Sequence, residues 1–278
     1  MKKILITGGS GQLAQSFKSL FSNTYDLLAI NSKSLDITNA NNVKHILDKE
    51  KPDIIINCAA MTNVDGCENQ IEKAYLVNGL AIKNFVDYFE GLFIQISTDY
   101  IFDGENGPYS ERSKPNPLSI YGKSKLLGEE IVKKNFQNHL IIRTNVLFDL
   151  NTKASFLDWI IQSLSKNKKI NIVNDQINNP VWTNDLSKTI SFLINHNLKG
   201  VFHVGSDTLC SRYEFARMIG KEWNLDLANL TPISTDELFA QLDSYIAERP
   251  LNSGLVTEFE GMPNISLVNA LINLKENN

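Results

Sequence analysis

The chain shows no signature of a disulfide framework or a metal centre. Its three cysteines, Cys58, Cys67 and Cys210, are an odd number without CxxC spacing, so neither disulfides nor a zinc site are indicated. The four histidines are scattered, and no DxDxDG-type carboxylate pattern occurs. No apolar run nears the roughly 20 residues needed to span a bilayer. The apolar stretch that follows Met1-Lys2-Lys3 stops at Gly8-Gly9, too short for a signal-peptide core. Positive charge is not in excess either. Against 31 Asp and Glu stand 27 Lys and Arg, for a formal charge of −4, which argues against a nucleic-acid partner. The densest basic run, Lys166 to Lys169, reads as a solvated turn. These absences leave the expectation of a metal-free cytoplasmic protein with neither nucleic acid nor membrane as partner.

What is present is ordinary globular material. The 278 residues are 42% hydrophobic and 21% charged, enough for a full core without staples and suited to one large domain or a domain with an appended lobe. Short apolar runs at Lys3–Thr7, Leu27–Ile30, Ile54–Asn57, Phe93–Ser97 and Leu140–Arg143 read as buried strands. Helical stretches alternate with them at Gln12–Phe21, Asn41–Glu50, Ile71–Phe89 and Ser119–Asn135. That alternation predicts βαβ units and a parallel sheet covered on both faces. Beyond residue 150 the pattern loosens. Helices are expected at Ala154–Ser165, Asn184–Asn195 and Arg212–Trp223, the last capped by Ser211 or Thr208, and strands at Ile170–Val173 and Val201–Val204. The predicted fold class is α/β: a doubly wound parallel Rossmann sheet in residues 1–150, and a smaller, mainly substrate-binding lobe in 151–278, with some later segments returning to the sheet.

Between the first strand and the first helix lies Thr7-Gly8-Gly9-Ser10-Gly11-Gln12-Leu13-Ala14. Gly8 would permit a tight turn, and Gly11 would let the backbone approach a pyrophosphate at the helix N-terminus. Ser10, Gln12 and Leu13 belong to the same candidate cofactor stretch, and small Ala14 suits close helix–strand packing. The second strand ends Ile30-Asn31-Ser32-Lys33, without the carboxylate that holds a ribose 2′-hydroxyl in NAD sites. Asn31 can bond a ribose, and Ser32 and Lys33 could accept a 2′-phosphate, so NADPH is permitted beside NADH. A plain solvated turn remains an alternative for Lys33.

Ser97-Thr98-Asp99-Tyr100 follows the fourth strand, at the carboxyl edge where such sheets bind ligands. Tyr121 and Lys125 then stand at i and i+4 on one helical face. YxxxK alone is a weak signal. A glycine-rich turn, a hydroxyl after strand four and YxxxK on the next helix, in that order, are much stronger together.

With these residues the chain resembles the extended short-chain dehydrogenase/reductases, and more narrowly the dTDP-4-dehydrorhamnose reductase family. Supporting stretches are Gly11-Gln12-Leu13, Leu35-Asp36-Ile37-Thr38, Asn57 to Asp65 (NCAAMTNVD), Ser97 to Gly104 (STDYIFDG), Pro117 to Lys125 (PLSIYGKSK) and Arg249-Pro250-Leu251-Asn252-Ser253. The resemblance implies reduction of a 4-keto sugar. Tyr121 would protonate the emerging alkoxide. A free phenol has a pKa near ~10, so Lys125 would supply the neighbouring cation and also bond the nicotinamide ribose. Thr98 would donate to the carbonyl oxygen, and the nicotinamide would carry the hydride. The same resemblance lays Asp36 and Ile37 along the adenine, puts Ala59, Ala60, Met61 and Thr62 near the phosphates and ribose, and turns Thr98 and Asp99 toward the sugar. It leaves a homodimer open. Arg249 suits a clamp for the substrate diphosphate, with an ion pair to Glu248 or Asp243 as the alternative.

Two departures fall on the sugar side. Where the family commonly has a Trp that packs on the sugar, Arg143-Thr144-Asn145 is followed by Val146, and Val181 replaces a usual hydroxyl residue. Phe148 or Trp182 would have to stand in as a stacking platform. Cys58, assigned to a strand, and Cys67, assigned to a turn, read as bystanders, Trp159 and Trp223 as packing residues, and His203 as a structural histidine. The expected substrate is a nucleotide sugar, most simply dTDP-4-dehydro-β-L-rhamnose reduced to dTDP-L-rhamnose for surface polysaccharide. The alternatives are a sugar-nucleotide epimerase of the same superfamily and a non-catalytic dinucleotide-binding regulatory subunit.

Overall fold

In a computed structural model, residues 1–152, 155–241 and 246–277 are described. Strands β1 (Lys3–Thr7), β2 (Asp26–Ile30), β3 (Ile54–Asn57), β4 (Leu92–Thr98) and β5 (His139–Thr144) join a sixth strand, Gly200–Val204, in one sheet. Their spatial order is β2-β1-β3-β4-β5 and then Gly200–Val204, and every pairing is parallel. After β2 the chain crosses to the other side of β1, so the order reverses between β1 and β3. That is the crevice where doubly wound sheets take ligands.

The unbroken apolar runs have a direct cause. Ile4, Ile6, Ile54 and Ile56 face one core with helices α1 (Gln12–Phe21) and α8 (Thr183–Asn195). Leu5, Ile55 and Phe93 face a second core under α2 (Ala40–Glu50), α5 (Lys83–Val86) and α6 (Ile120–Asn135). Both sheet faces are dry, so neither needs polar side chains. A third core fills the C-terminal lobe, where α7 (Phe156–Ser165), α9 (Arg212–Glu222) and the helix Leu267–Glu276 close over Phe148, Trp182 and Phe215. α8 and the sixth strand come from the second half of the chain yet complete the sheet layer.

Several expectations need correction. The helix expected over 71–89 is interrupted: α4 (Ile71–Asn78) stops at Gly79, and a 3-10 turn and α5 follow. A Cβ at Gly79 would lie 2.8 Å from Leu127 of α6, so the chain bends where two helices touch. A short helix, α3 (Val64–Asn69), holds Cys67, which had been assigned to a turn, and Cys58 lies just beyond β3 rather than within it. Trp159 is 45% exposed beside Phe156, so it is not the packing residue expected, whereas Trp223 does pack on the lobe core. The expected start of α7 at Ala154 lies outside the described residues. Ser211 caps α9, with Glu214 completing a capping box. Among the described residues no helix is long and apolar enough to cross a membrane.

Candidate active site

The site is built on the carboxyl ends of the strands. A buried polar ladder ties three of them together: Thr7 Oγ1 donates to Asn57 Oδ1 (2.6 Å), Asn57 Nδ2 to Gln95 Oε1 (2.8 Å), and Gln95 Nε2 to the Ile96 carbonyl (3.0 Å). Thr7 Oγ1 also accepts from the Ala59 amide (3.2 Å). Gly8 turns the chain out of β1 at φ 64°, and a Cβ there would come within 2.9 Å of the Cys58–Ala59 backbone. Gly9 is equally constrained by the Ala29–Ile30 backbone at 2.6 Å. Gly11 differs, because a Cβ there would approach only the Gly8 carbonyl, at 3.2 Å. Gly11 is the N-cap of α1 without a side-chain cap, so the amides of the first turn stay open to an anion.

α6 carries the candidate pair Tyr121 and Lys125. Ser119 caps it by accepting from the Gly122 amide (3.2 Å), which sets Tyr121 in the first turn. A Cβ at Gly122 would lie 2.1 Å from the Tyr100 carbonyl. This glycine therefore lets α6 approach the Thr98–Tyr100 turn, where Tyr121 comes beside Thr98 and meets the Tyr100 ring edge-on at 5.8 Å. Lys125 Nζ donates to the Ile96 carbonyl (2.6 Å), the end of the ladder. Burial pushes the Tyr121 phenol above its ordinary value and lowers Lys125 to about 8, with Cys58 and Glu129 pulling the lysine back up. Burial also raises Asp99 to about 6, against bonds from Ser253 and Thr98 that favour its charge.

The Thr98 hydroxyl has one proton, and it points to Asp99 Oδ1 at 3.1 Å while Oγ1 accepts from the Tyr100 amide at 3.2 Å. Asp99 is 2% exposed, with its second oxygen bonded by Ser253. Its carboxylate is thus engaged within the chain and reaches a ligand only through Thr98.

A cleft of about 430 Å³ brings together Gly11, Gln12, Leu13, Ala60, Thr62, Thr98, Tyr121, Lys125 and Thr144. Other expected residues lie apart from its wall. Met61 is held behind it, its amide donating to Asn78 Oδ1 (2.7 Å) and its carbonyl accepting from Asn78 Nδ2 (3.1 Å). Ser10, Asn31, Ser32 and Asp36 are exposed at the turns after β1 and β2, and Asp36 Oδ1 is taken by Thr38. The Ile37 side chain is buried in the second core and its carbonyl accepts from Asn84 Nδ2 (2.8 Å). Val146 is half-buried and does not line the cleft. Neither proposed stand-in offers a ring, since Phe148 is fully buried and Trp182 packs in the lobe and donates to Asp149 (3.3 Å). Arg249 pairs with Asp65 rather than with Glu248, its Nη2 meeting Asp65 Oδ2 at 2.8 Å, and the Tyr100 phenol adds to the favourable field around it. Asp243 lies outside the described residues.

Sequence reasoning missed the support beneath this cleft. Glu129, one turn past Lys125, is buried and takes Arg143 through Nε (3.0 Å) and Nη2 (2.8 Å), and Ser97 Oγ at 2.6 Å. Burial disfavours its charge, but Arg143 outweighs that and holds the carboxyl below the usual range. Arg143 Nη1 in turn meets His203 Nε2 (3.2 Å), whose Nδ1 faces the Tyr109 carbonyl (3.0 Å). His203 is thus structural, as expected, and burial lowers it to about 4. Asn78, which also bonds Ser124 (2.9 Å), clamps the loop after β3 to α6. The signal in the sequence was a lone Asn at a helix end, which carries no meaning until α6 is beside it.

Residues 1–262 match the RmlD substrate binding domain family. The chain belongs to that family. It is 35% identical to the spore coat polysaccharide biosynthesis protein SpsK of Bacillus subtilis (strain 168), over 85% of this chain and 84% of that protein. It is 34% identical to a dTDP-4-dehydrorhamnose reductase of Aggregatibacter actinomycetemcomitans, over 80% and 79%. The crystal structure of dTDP-4-dehydrorhamnose reductase from Bacillus anthracis str. Ames in complex with NADP superposes with a TM-score of 0.93, at 32% identity and covering 100% of this chain and 99% of that one. For an RmlD-family chain the cleft fits a dinucleotide, with an uncapped helix N-terminus at Gly11 and an unpartnered buried hydroxyl at Thr144.

Proposed function

We propose that the chain is an NADPH-dependent reductase of the 4-keto group of a dTDP-linked 6-deoxy sugar, converting dTDP-4-dehydro-β-L-rhamnose to dTDP-L-rhamnose for a surface polysaccharide. The observation that carries this reading is the convergence of Thr98, Tyr121 and Lys125 on one cleft that also opens onto the N-terminus of α1. Gly11, Gln12 and Leu13 would hold the pyrophosphate, Asn31 and Ser32 the adenosine ribose and its phosphate, and Tyr121 and Lys125 the nicotinamide ribose. Bound there, the reduced nicotinamide supplies a hydride to C4.

The chain's own residues do the rest. Tyr121, kept protonated by burial, gives its proton to the oxygen that gains charge as the carbonyl bond is lost. Lys125 offsets the phenolate that remains. Thr98 turns its hydroxyl from Asp99 to the ketone oxygen and stabilises the same charge. One ketone, one reduced nicotinamide and one proton become one alcohol and one oxidised nicotinamide, and the proton that Tyr121 gives up is replaced from water. Arg249, gathered with Asp65 and Tyr100 near Tyr121, would share its guanidinium between Asp65 and the substrate diphosphate.

The test follows reduced-nicotinamide absorbance with purified protein, NADPH, and dTDP-4-keto-L-rhamnose generated in situ. Oxidation that requires the sugar supports the reading, and NMR of the product assigns the C4 configuration. NADPH binding without oxidation on any 4-keto sugar would replace it with the regulatory reading. Sugar conversion without net NADPH consumption would replace it with the epimerase.

A further inference from the structure

We infer that Thr144 is a cofactor-positioning residue whose hydroxyl bonds the carboxamide of the nicotinamide, an inference that rests on the dinucleotide reading above. Thr144 ends β5 and is 4% exposed. Among the described residues, its Oγ1 is the one buried side-chain nitrogen or oxygen without a hydrogen-bond partner. The surrounding polar groups are all engaged: Thr7, Asn57, Gln95, Ser97 and Thr98 each have partners within the chain. A buried hydroxyl left unsatisfied is unfavourable, and valine has the same shape and an equal preference for a strand. The group is not enclosed by the core, however, because Thr144 forms part of the cleft wall together with Gly11, Thr98 and Lys125.

Register narrows what it can meet. Thr144 is the direct β-partner of Thr98, so the two hydroxyl residues stand side by side at the ends of adjacent strands. Thr98 and Tyr121 take the ketone oxygen, Lys125 and Tyr121 the nicotinamide ribose, and the α1 N-terminus the phosphates. The remaining polar group of the cofactor is the ring carboxamide, which both donates and accepts, as a hydroxyl does. Anchoring it on β5 would oppose rotation of the ring about its ribose bond and so present one face of the ring to the substrate.

The experiment compares Thr144→Val and Thr144→Ser with the unmodified protein by fluorescence titration of NADPH and of 2′-phospho-ADP-ribose, which lacks the nicotinamide. Thr144→Val is expected to weaken NADPH about tenfold, and Thr144→Ser to stay within about twofold, for loss and retention of one hydrogen bond. Binding of 2′-phospho-ADP-ribose is expected to be unchanged in both. Unaltered NADPH affinity in Thr144→Val overturns the inference, as does an equal loss for both ligands, which would mark a structural role. Unmodified protein that binds neither ligand overturns the dinucleotide reading itself.

Discussion

The two sides of the cleft are built differently. On the side proposed for the nucleotide, most contributing residues lie close to strand ends, and one ladder from Thr7 to Ile96 sets three strands against each other. On the side proposed for the sugar, the contacts join residues far apart along the chain. Ser253 reaches Asp99, 154 residues away, and Arg249 reaches Asp65, 184 residues away. The first wall follows from the parallel pairing of neighbouring strands and the turns at their ends. The second exists only when the C-terminal lobe has docked.

Four measurements probe that contrast. Tyr121→Phe removes the proton and one ribose contact, so kcat should fall by about 10²–10⁴-fold while NADPH still binds, weakened by no more than about tenfold. Undiminished turnover would eliminate Tyr121 as the acid. Glu129→Ala strands a buried guanidinium and frees Ser97, so urea unfolding should show a loss of about 3–5 kcal/mol. A stability within error of the parent would mean that Arg143 finds another partner. Arg249→Met should raise the KM for the sugar nucleotide about tenfold through loss of a charge-assisted contact. The same change should cost less than about 1 kcal/mol of stability, because its ion pair is partly exposed. If stability fell and KM did not, Arg249 would be a lobe fastener rather than a clamp.

The smallest effect is the pH profile. Burial lowers Lys125 to about 8 and raises Tyr121. As pH rises through about 8 the lysine loses its charge while the tyrosine keeps its proton, so kcat/KM in the reductive direction should decline on that limb. A rate that stays flat well past it would show that the Lys125 charge is dispensable.

Much of the nucleotide wall was legible from residue order. The strand β1, the helix α1 and the triad Thr98, Tyr121 and Lys125 all lie where their patterns place them. The illegible parts are instructive in physical terms. Gly79 interrupts a helix because of Leu127, not because of its own neighbours. Asp36 and Ile37 lie in the expected stretch, but Thr38 occupies the one and the core swallows the other. Val146 announced a missing platform, and Phe148 and Trp182 looked equally able to replace it until the lobe core claimed both.

The amino-acid sequence by itself determined the sheet, the glycine-rich turn and the order of the Thr98, Tyr121 and Lys125 positions along it, because these depend on local periodicities and spacings. The tertiary structure alone decided that Thr98 gives its proton to Asp99, that Arg143 is buried on Glu129, that Arg249 answers to Asp65 and that Thr144 is left unpaired. Hydrogen-bond satisfaction is settled by what the folded chain brings within 3 Å or so, and no local pattern encodes partners lying far apart along the chain.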